Sequence, residues 1–350
     1  MAKRRRRSCG IGGQAVLEGV MMKNKDKYAV AVRRSDGVIE ISTEEYKGVL
    51  AGSVLKKIPF VRGTFNFIDS LVLGIRSLNF SASFYEDEPK EEDKPSFMKR
   101  VFGEKADEIM MGIVTVFSFV LALGIFMVLP YYLSVWLNRY VQNDTLLALI
   151  EGVIRILIFL LYVVSISLMK DIHRLYQYHG AEHKCINCIE RGRELTVQNV
   201  KRSSRLHKRC GTSFLLFVML VSVVLFFFIR VDNPMYRVGL RIVLIPVIAG
   251  ISYEIIRWAG NSRNFFVSLL SAPGLGLQKL TTKEPDEEMI EVAIASVNAV
   301  FNWKQYLAEH FGYEPEENAA KTAKTDKAAA SEVVASTETE AAPTAETTGS

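Results

Sequence analysis

Four of the five histidines and three of the four cysteines fall between residues 170 and 211. Within that stretch, Tyr178-His179-Gly180-Ala181-Glu182-His183 carries the order H-x-x-E-H. On a helix, His179 and His183 stand four residues apart on one face and can both reach one divalent metal, zinc first. Glu182, beside them, has the chemistry of a general base toward water. His207 and Cys210 are the further ligands available to such a site. Gly180 works against the helix by about 1 kcal/mol relative to alanine. Without a metal, the same motif is a polar extension of a neighbouring helix.

A rival reading uses other residues of the same stretch. Cys185-x-x-Cys188 followed by His207-x-x-Cys210 gives two ligand pairs, the spacing of a closed structural zinc site. The bland reading makes Cys185 and Cys188 small buried residues of a reducing compartment, and it is the favoured one. Three polar groups lie elsewhere. Gln14 and Glu18 sit in the glycine-bearing stretch 12–22, either as site groups brought against the loop or as parts of a turn. Glu254 lies near the end of the last apolar segment. A helix-packing salt bridge, with Arg257 one turn away, is favoured there over metal ligation.

The elements that must position these groups are mostly apolar helices. Of the 350 residues 49% are hydrophobic, and the apolar runs concentrate between residues 109 and 258. Runs of eighteen or more match the roughly 30 Å of bilayer hydrocarbon. Four transmembrane helices are expected, near 109–137, 146–169, 212–229 and 238–258. Pro130 should kink or end the first. Glu151 and Arg155 are spaced to pair within the second. The 170–211 segment holds ten lysines and arginines, whereas the other two loops hold Arg139, Arg230 and Arg237. Positive charge stays inside, so the segment and both termini are expected in the cytoplasm of a multi-pass cell-membrane protein.

The fold class is therefore a mainly α polytopic helical bundle, with a small N-terminal β-hairpin region and a disordered C-terminal tail. Residues 1–58 are a cytoplasmic region whose hairpin turns at Ser35-Asp36-Gly37. Residues 59–108 form an amphipathic helix and an acidic linker. The first two spans fill 109–169, the His/Cys-rich loop 170–211 and the last two spans 212–258. Residues 259–314 hold an interfacial or re-entrant segment, broken at Pro273, Gly274 and Gly276, and then a helix opened by acids. In that helix Met289, Val292, Ala293, Ser296 and Val300 give a packed face. From 315 the chain has almost no large apolar residue.

The net charge of +5 matters less than its placement. Arg4 to Arg7 point to a bilayer with anionic headgroups as partner. No aromatic-interleaved basic surface accompanies them, so no nucleic acid is expected. The residues after the run supply no apolar core for a secretory signal.

The motifs GGQAVLEGVMM at 12–22, YHGAEHK at 178–184 and RCGTSF at 209–214 resemble the YqhQ family. SYEIIR at 252–257 and LQKLTTKEP at 277–285 fit the same pattern over about residues 10 to 305. The resemblance implies a polytopic membrane protein from a domain of unknown function, sometimes labelled a predicted metal-dependent enzyme. Its motif positions here are His179, Glu182, His183, His207 and Cys210, with Gln14, Glu18 and Glu254 beside them. Cys185 and Cys188 lie outside the pattern.

Two function classes follow. The first is a metal-dependent hydrolase or peptidase at the cytoplasmic membrane face, with Glu182 activating water. The second is a non-catalytic scaffold or assembly factor docking a membrane-protein or peptide partner, with structural zinc or no metal. A transporter is a weaker third, because four spans are few and, apart from Glu254, the bilayer midplane lacks ion-relay residues.

Overall fold

The computed structural model describes residues 7–85, 106–229, 231, 233–261 and 264–313. Two layers make up the fold, a sheet-based layer and a helical membrane layer. Four antiparallel strands form a meander in the order β1 (Gly12–Val16), β2 (Gly19–Asn24), β3 (Lys27–Arg33) and β4 (Ile39–Glu45). The hairpin expected around Ser35-Asp36-Gly37 is β3–β4, but β1 and β2 extend it into a sheet. The stretch 12–22 is thus itself a hairpin, with Val16 paired to Gly19 and Leu17-Glu18 as its turn. Glu18 takes a left-handed φ of 48° there.

Successive strand side chains point to opposite faces, and here both faces are covered. Val20, Met22, Ala29 and Ala31 pack beneath two helices of the later chain. Val16, Met21, Tyr28, Val30 and Val32 pack on the other side against Tyr46 and Leu73. Leu73 belongs to α1 (Val61–Ala82), the amphipathic helix of the sequence. It joins the sheet to the membrane layer, its Arg62 donating to both oxygens of Glu254 at 2.6 Å.

Three helical segments are long and apolar enough to cross a membrane: Gly112–Leu137, Thr145–Ser167 and Gly211–Phe228. A pair bent by 42°, Met235–Val243 and Ile245–Ala259, is apolar enough only when taken together, as a broken span or a re-entrant loop, so the described residues hold three spans or up to four. The first segment runs through α2 (Ala106–Leu123), a π turn at Gly124–Val128 and α3 (Leu129–Leu137). Pro130 does not end it. The wider π turn before the proline absorbs the hydrogen bond that its ring cannot make.

The second is α4 (Asp144–Ser167), capped by Asn143, and the third is α7 (Gly211–Phe228). The bent pair is α8 (Pro234–Val243) and α9 (Ile245–Asn261). Glu151 pairs with Arg155 at 2.8 Å as its spacing predicts, and a second cation, Arg241, joins at 2.6 Å.

Between α4 and α7 the expected loop is largely helical, α5 (Lys170–Glu190) and the short α6 (Val197–Lys201). Met169 is extended at φ −71°, ψ 134°, so α5 is not a straight continuation of α4. It lies against the sheet instead. The segment after the last span is likewise unbroken. Its helix α10 (Phe265–Thr281) runs through Pro273 and packs on α7, where Gly274 approaches Ser213. α11 (Glu287–Val300), capped by Asp286, buries the face predicted for it and completes the sheet's cover. α12 (Trp303–Phe311) closes the described chain. The acidic linker at 86–93, Arg4 to Arg6 and the tail from 315 lie outside the described residues.

Candidate metal centre

From Tyr178 onward α5 is buried on almost every side. Gly180 allows this, because a Cβ there would sit 2.0 Å from the Lys283 carbonyl oxygen. The packing that glycine permits outweighs its poor helix propensity. The 282–285 segment is then tied to α5 by Lys283 N–H to the Tyr176 carbonyl, 2.8 Å, and Gln177 Nε2 to the Glu284 carbonyl, 3.1 Å. Gly180→Ala should push these segments apart and cost about 1–3 kcal/mol, read as a lower unfolding midpoint. A midpoint unchanged from wild type would refute the close contact.

The two histidines emerge from α5 one turn apart, with ring centroids 4.4 Å from each other. His179 Nδ1 lies 2.9 Å from the Thr281 carbonyl and His183 Nδ1 2.6 Å from the Arg205 carbonyl. A carbonyl only accepts, so both rings carry the proton on Nδ1 and turn Nε2 inward. This is the arrangement in which backbone groups orient metal-binding imidazoles. His179 Nε2 faces Cys210 Sγ at 3.2 Å. The ligand atoms of His179, His183 and Cys210 all fall within 4.8 Å of one another. Two imidazoles and a thiolate suit zinc.

Cys210 is the N-cap of α7, its sulfur accepting from the Thr212 N–H at 3.4 Å. Burial opposes its ionisation, but the facing His179 and His183 overcome that and hold the thiol well below its ordinary range. Burial likewise opposes charge on His179, yet the Cys210 sulfur and Glu182 carry it up to about 9. Metal-free protein should therefore hold a thiolate–imidazolium pair at neutral pH. The His179 share of the stabilisation, its value being raised above 6.5, is complete below that pH and is lost as pH rises through about 9. The share of Cys210, whose value is depressed, is lost as pH falls through that lowered value. Burial pushes Cys9 up to about 12 and Cys188 to about 11, and holds Cys185 well above its ordinary value. Iodoacetamide at pH 7 should thus label Cys210 selectively in chelator-treated protein. Equal labelling of all four thiols would contradict the pair.

Glu182 completes the group, Oε2 lying 3.8 Å from His179 Nε2 and 3.9 Å from His183 Nε2. Burial raises its pKa, while His183, His179 and the Gly13 N–H pull it back. Gly13 is required there, since a Cβ would meet Glu182 Cγ at 2.8 Å and the Met21 carbonyl at 2.6 Å. That accounts for the second glycine of the N-terminal motif; a Cβ at Gly12 would meet nothing within 4 Å.

The other predicted residues divide. Gln14, on β1, lines a cavity of about 690 Å³ together with His179, Glu182, His183 and Cys210. His207 stands behind His183, rings 5.7 Å apart, with Nε2 3.5 Å from Glu190. Glu18 is turned away from the cavity and clamps the β1–β2 turn to α5 through Arg174 and Tyr178. Glu254 belongs to the α1–α9 joint, with Arg62 as partner instead of Arg257. Cys185 and Cys188 are core residues beneath the sheet, and Cys188 Sγ lies 3.3 Å from the Glu194 carbonyl. They take no part in the one cluster of potential ligands among the described residues, so the closed cysteine site is not formed.

Sequence reasoning missed Gln278. It is fully buried, accepts from the His207 N–H at 2.9 Å, and donates to the His207 carbonyl at 2.7 Å and Ser213 Oγ at 2.8 Å. It fixes the loop that delivers Cys210. Its signals were an amide within an apolar stretch and its place in the LQKLTTKEP motif at 277–285.

A family model described as "Protein of unknown function (DUF1385)" matches residues 58–303. The uncharacterized protein YqhQ of Bacillus subtilis (strain 168) is 38% identical over 288 residues, covering 82% of this chain and 91% of that protein. No solved structure matches the chain. With its membrane-spanning helices and its His/His/Cys cluster, the chain belongs to the YqhQ/DUF1385 family.

Proposed function

We propose that the chain is a metal-dependent hydrolase of the membrane surface, with zinc held by His179, His183 and Cys210. One observation carries this reading: the three donor atoms meet at the wall of a roomy cavity beside a carboxylate. A closed structural site takes a fourth protein ligand and needs no cavity, whereas a catalytic site keeps one position open. Zinc there would polarise a substrate carbonyl or phosphoryl group and make water more acidic. Glu182 takes a proton from the attacking water and returns it to the leaving group as the scissile bond breaks. One water is consumed, its hydroxyl going to the acyl or phosphoryl product and its other hydrogen to the leaving group. His207 and Glu190 support His183 from behind. The ten cations of the 170–211 segment support a cytoplasmic position for this face and for both termini.

Elemental analysis of the purified full-length protein, wild type against Glu182→Gln and Cys188→Ala, tests the assignment. Both variants should keep the wild-type zinc content, and cobalt exchanged into Glu182→Gln should show a thiolate charge-transfer band. Zinc lost from Cys188→Ala, or absent from wild type, overturns the site. A cobalt spectrum showing four protein ligands and no exchangeable position would mark a scaffold instead.

A further inference from the structure

The polar cavity does not end at Cys210. A second cavity of about 540 Å³ adjoins it, sharing Gln14, Asn66, Ser70, Cys210 and Leu215. Its character is different. Phe67, Leu71, Ile75 and Leu78 of α1 face Phe214 of α7 and Ile256 of α9 across it. Its size falls within the roughly 300–1,000 Å³ of small-molecule pockets. Leu71 and Ile75 are 50% and 54% exposed, so the groove opens along the outer face of α1.

The two cavities meet at the membrane boundary, because Cys210 directly precedes the apolar segment Gly211–Phe228. The polar side carries surplus positive charge. Of its acids, Asp69 is already engaged by Lys56 at 2.7 Å, Tyr46 Oη at 3.0 Å and the Val49 N–H at 2.6 Å. Glu182 is engaged by Gly13 and the histidines. Arg209 is held by Glu190 and Ser8. Lys23, its ammonium 5.0 Å from the Tyr46 ring centre and within the fields of Asp69, Asp26 and Lys56, and Lys25 are the other cations of the wall and can meet an anion.

We infer that the site takes an anionic lipid, with one acyl chain in the α1–α7–α9 groove and the charged headgroup beside Lys23, Lys25 and the triad. This deepens the hydrolase reading and rests on it for its catalytic sense, although lipid binding itself needs no metal. An apolar channel ending in a cationic, ligand-bearing chamber fits an amphiphile and leaves half its wall unused by a free phosphate.

The test uses the full chain in detergent, with 1-oleoyl lysophosphatidic acid as probe and zinc content measured on the same samples. Lysophosphatidylcholine with the same chain and glycerol 3-phosphate serve as comparators. Ile75→Arg puts a charge in the groove and should weaken the probe by about tenfold or more, its solvent-exposed site leaving the unfolding midpoint unchanged. Lys23→Gln with Lys25→Gln should weaken the probe roughly tenfold and leave the zwitterionic lipid unaffected.

Glycerol 3-phosphate binding as tightly as the probe, or lysophosphatidylcholine doing so, overturns the proposal. So does undiminished binding by folded Ile75→Arg. Displacement of the probe by an apolar transmembrane peptide, but not by unlabelled lipid, overturns it in favour of a peptide substrate. Zinc without probe binding defeats the lipid assignment alone; probe binding without zinc defeats the metal assignment alone.

Discussion

His183→Ala should leave the purified protein with almost no zinc and with a thermal midpoint close to that of chelated wild type. Each ligand of a three-residue site is indispensable, since two protein donors and water bind far more weakly than three. Ligand binding to the native state stabilises it by RT ln(1 + [L]/Kd), about 2.7 kcal/mol at a hundredfold excess over Kd. His183→Ala forfeits that increment, and adding zinc should no longer raise its midpoint. Cys210→Ser should behave alike, because an alcohol does not supply the thiolate. Arg205, whose carbonyl orients His183, offers a contrast. The contact is to its backbone, so Arg205→Ala should retain the metal. Full zinc occupancy in His183→Ala would remove that residue from the centre.

Glu151→Gln should be the most destabilising single change in the membrane layer, by roughly 3–5 kcal/mol. Arg155 and Arg241 both lean on this one carboxylate, and both are almost fully buried. Their guanidinium groups also lie over aromatic rings, Phe226 for both and Tyr131 for Arg241, which softens the excess of charge without cancelling it. Removing the anion leaves two buried cations facing each other. Unfolding in detergent should show the loss, and Arg241→Gln added to Glu151→Gln should recover part of it. A Glu151→Gln protein as stable as wild type would mean that water or lipid already solvates this cluster.

The spans were readable because hydropathy needs no partner: a long apolar run is one whatever it touches. The His179–His183 pair was readable for a similar reason, being set by helical period alone. The β1–β2 hairpin was not. Val20, Met21 and Met22 are buried whichever face they point to, and this erases the alternation that marks a half-buried strand. Long-range partners were hidden too. Arg62 is 192 residues from Glu254, and Thr281, which orients His179, is 102 residues away. Arg257 was the partner suggested for Glu254 because it is near in sequence, yet α1 supplies a bidentate cation from across the fold. Carbonyl acceptors such as those of Thr281 and Arg205 have no sequence signature at all, since every residue offers one.

The position of Cys210 as the N-cap of a spanning helix has a mechanical consequence. Its sulfur rides on a rod whose tilt answers to the thickness of the surrounding bilayer, whereas His179 and His183 ride on α5, anchored to the sheet. Thinning or thickening the lipid around α7 therefore shifts one donor against the other two. The spacing of these three potential ligands is in effect a gauge of the membrane in which the protein sits.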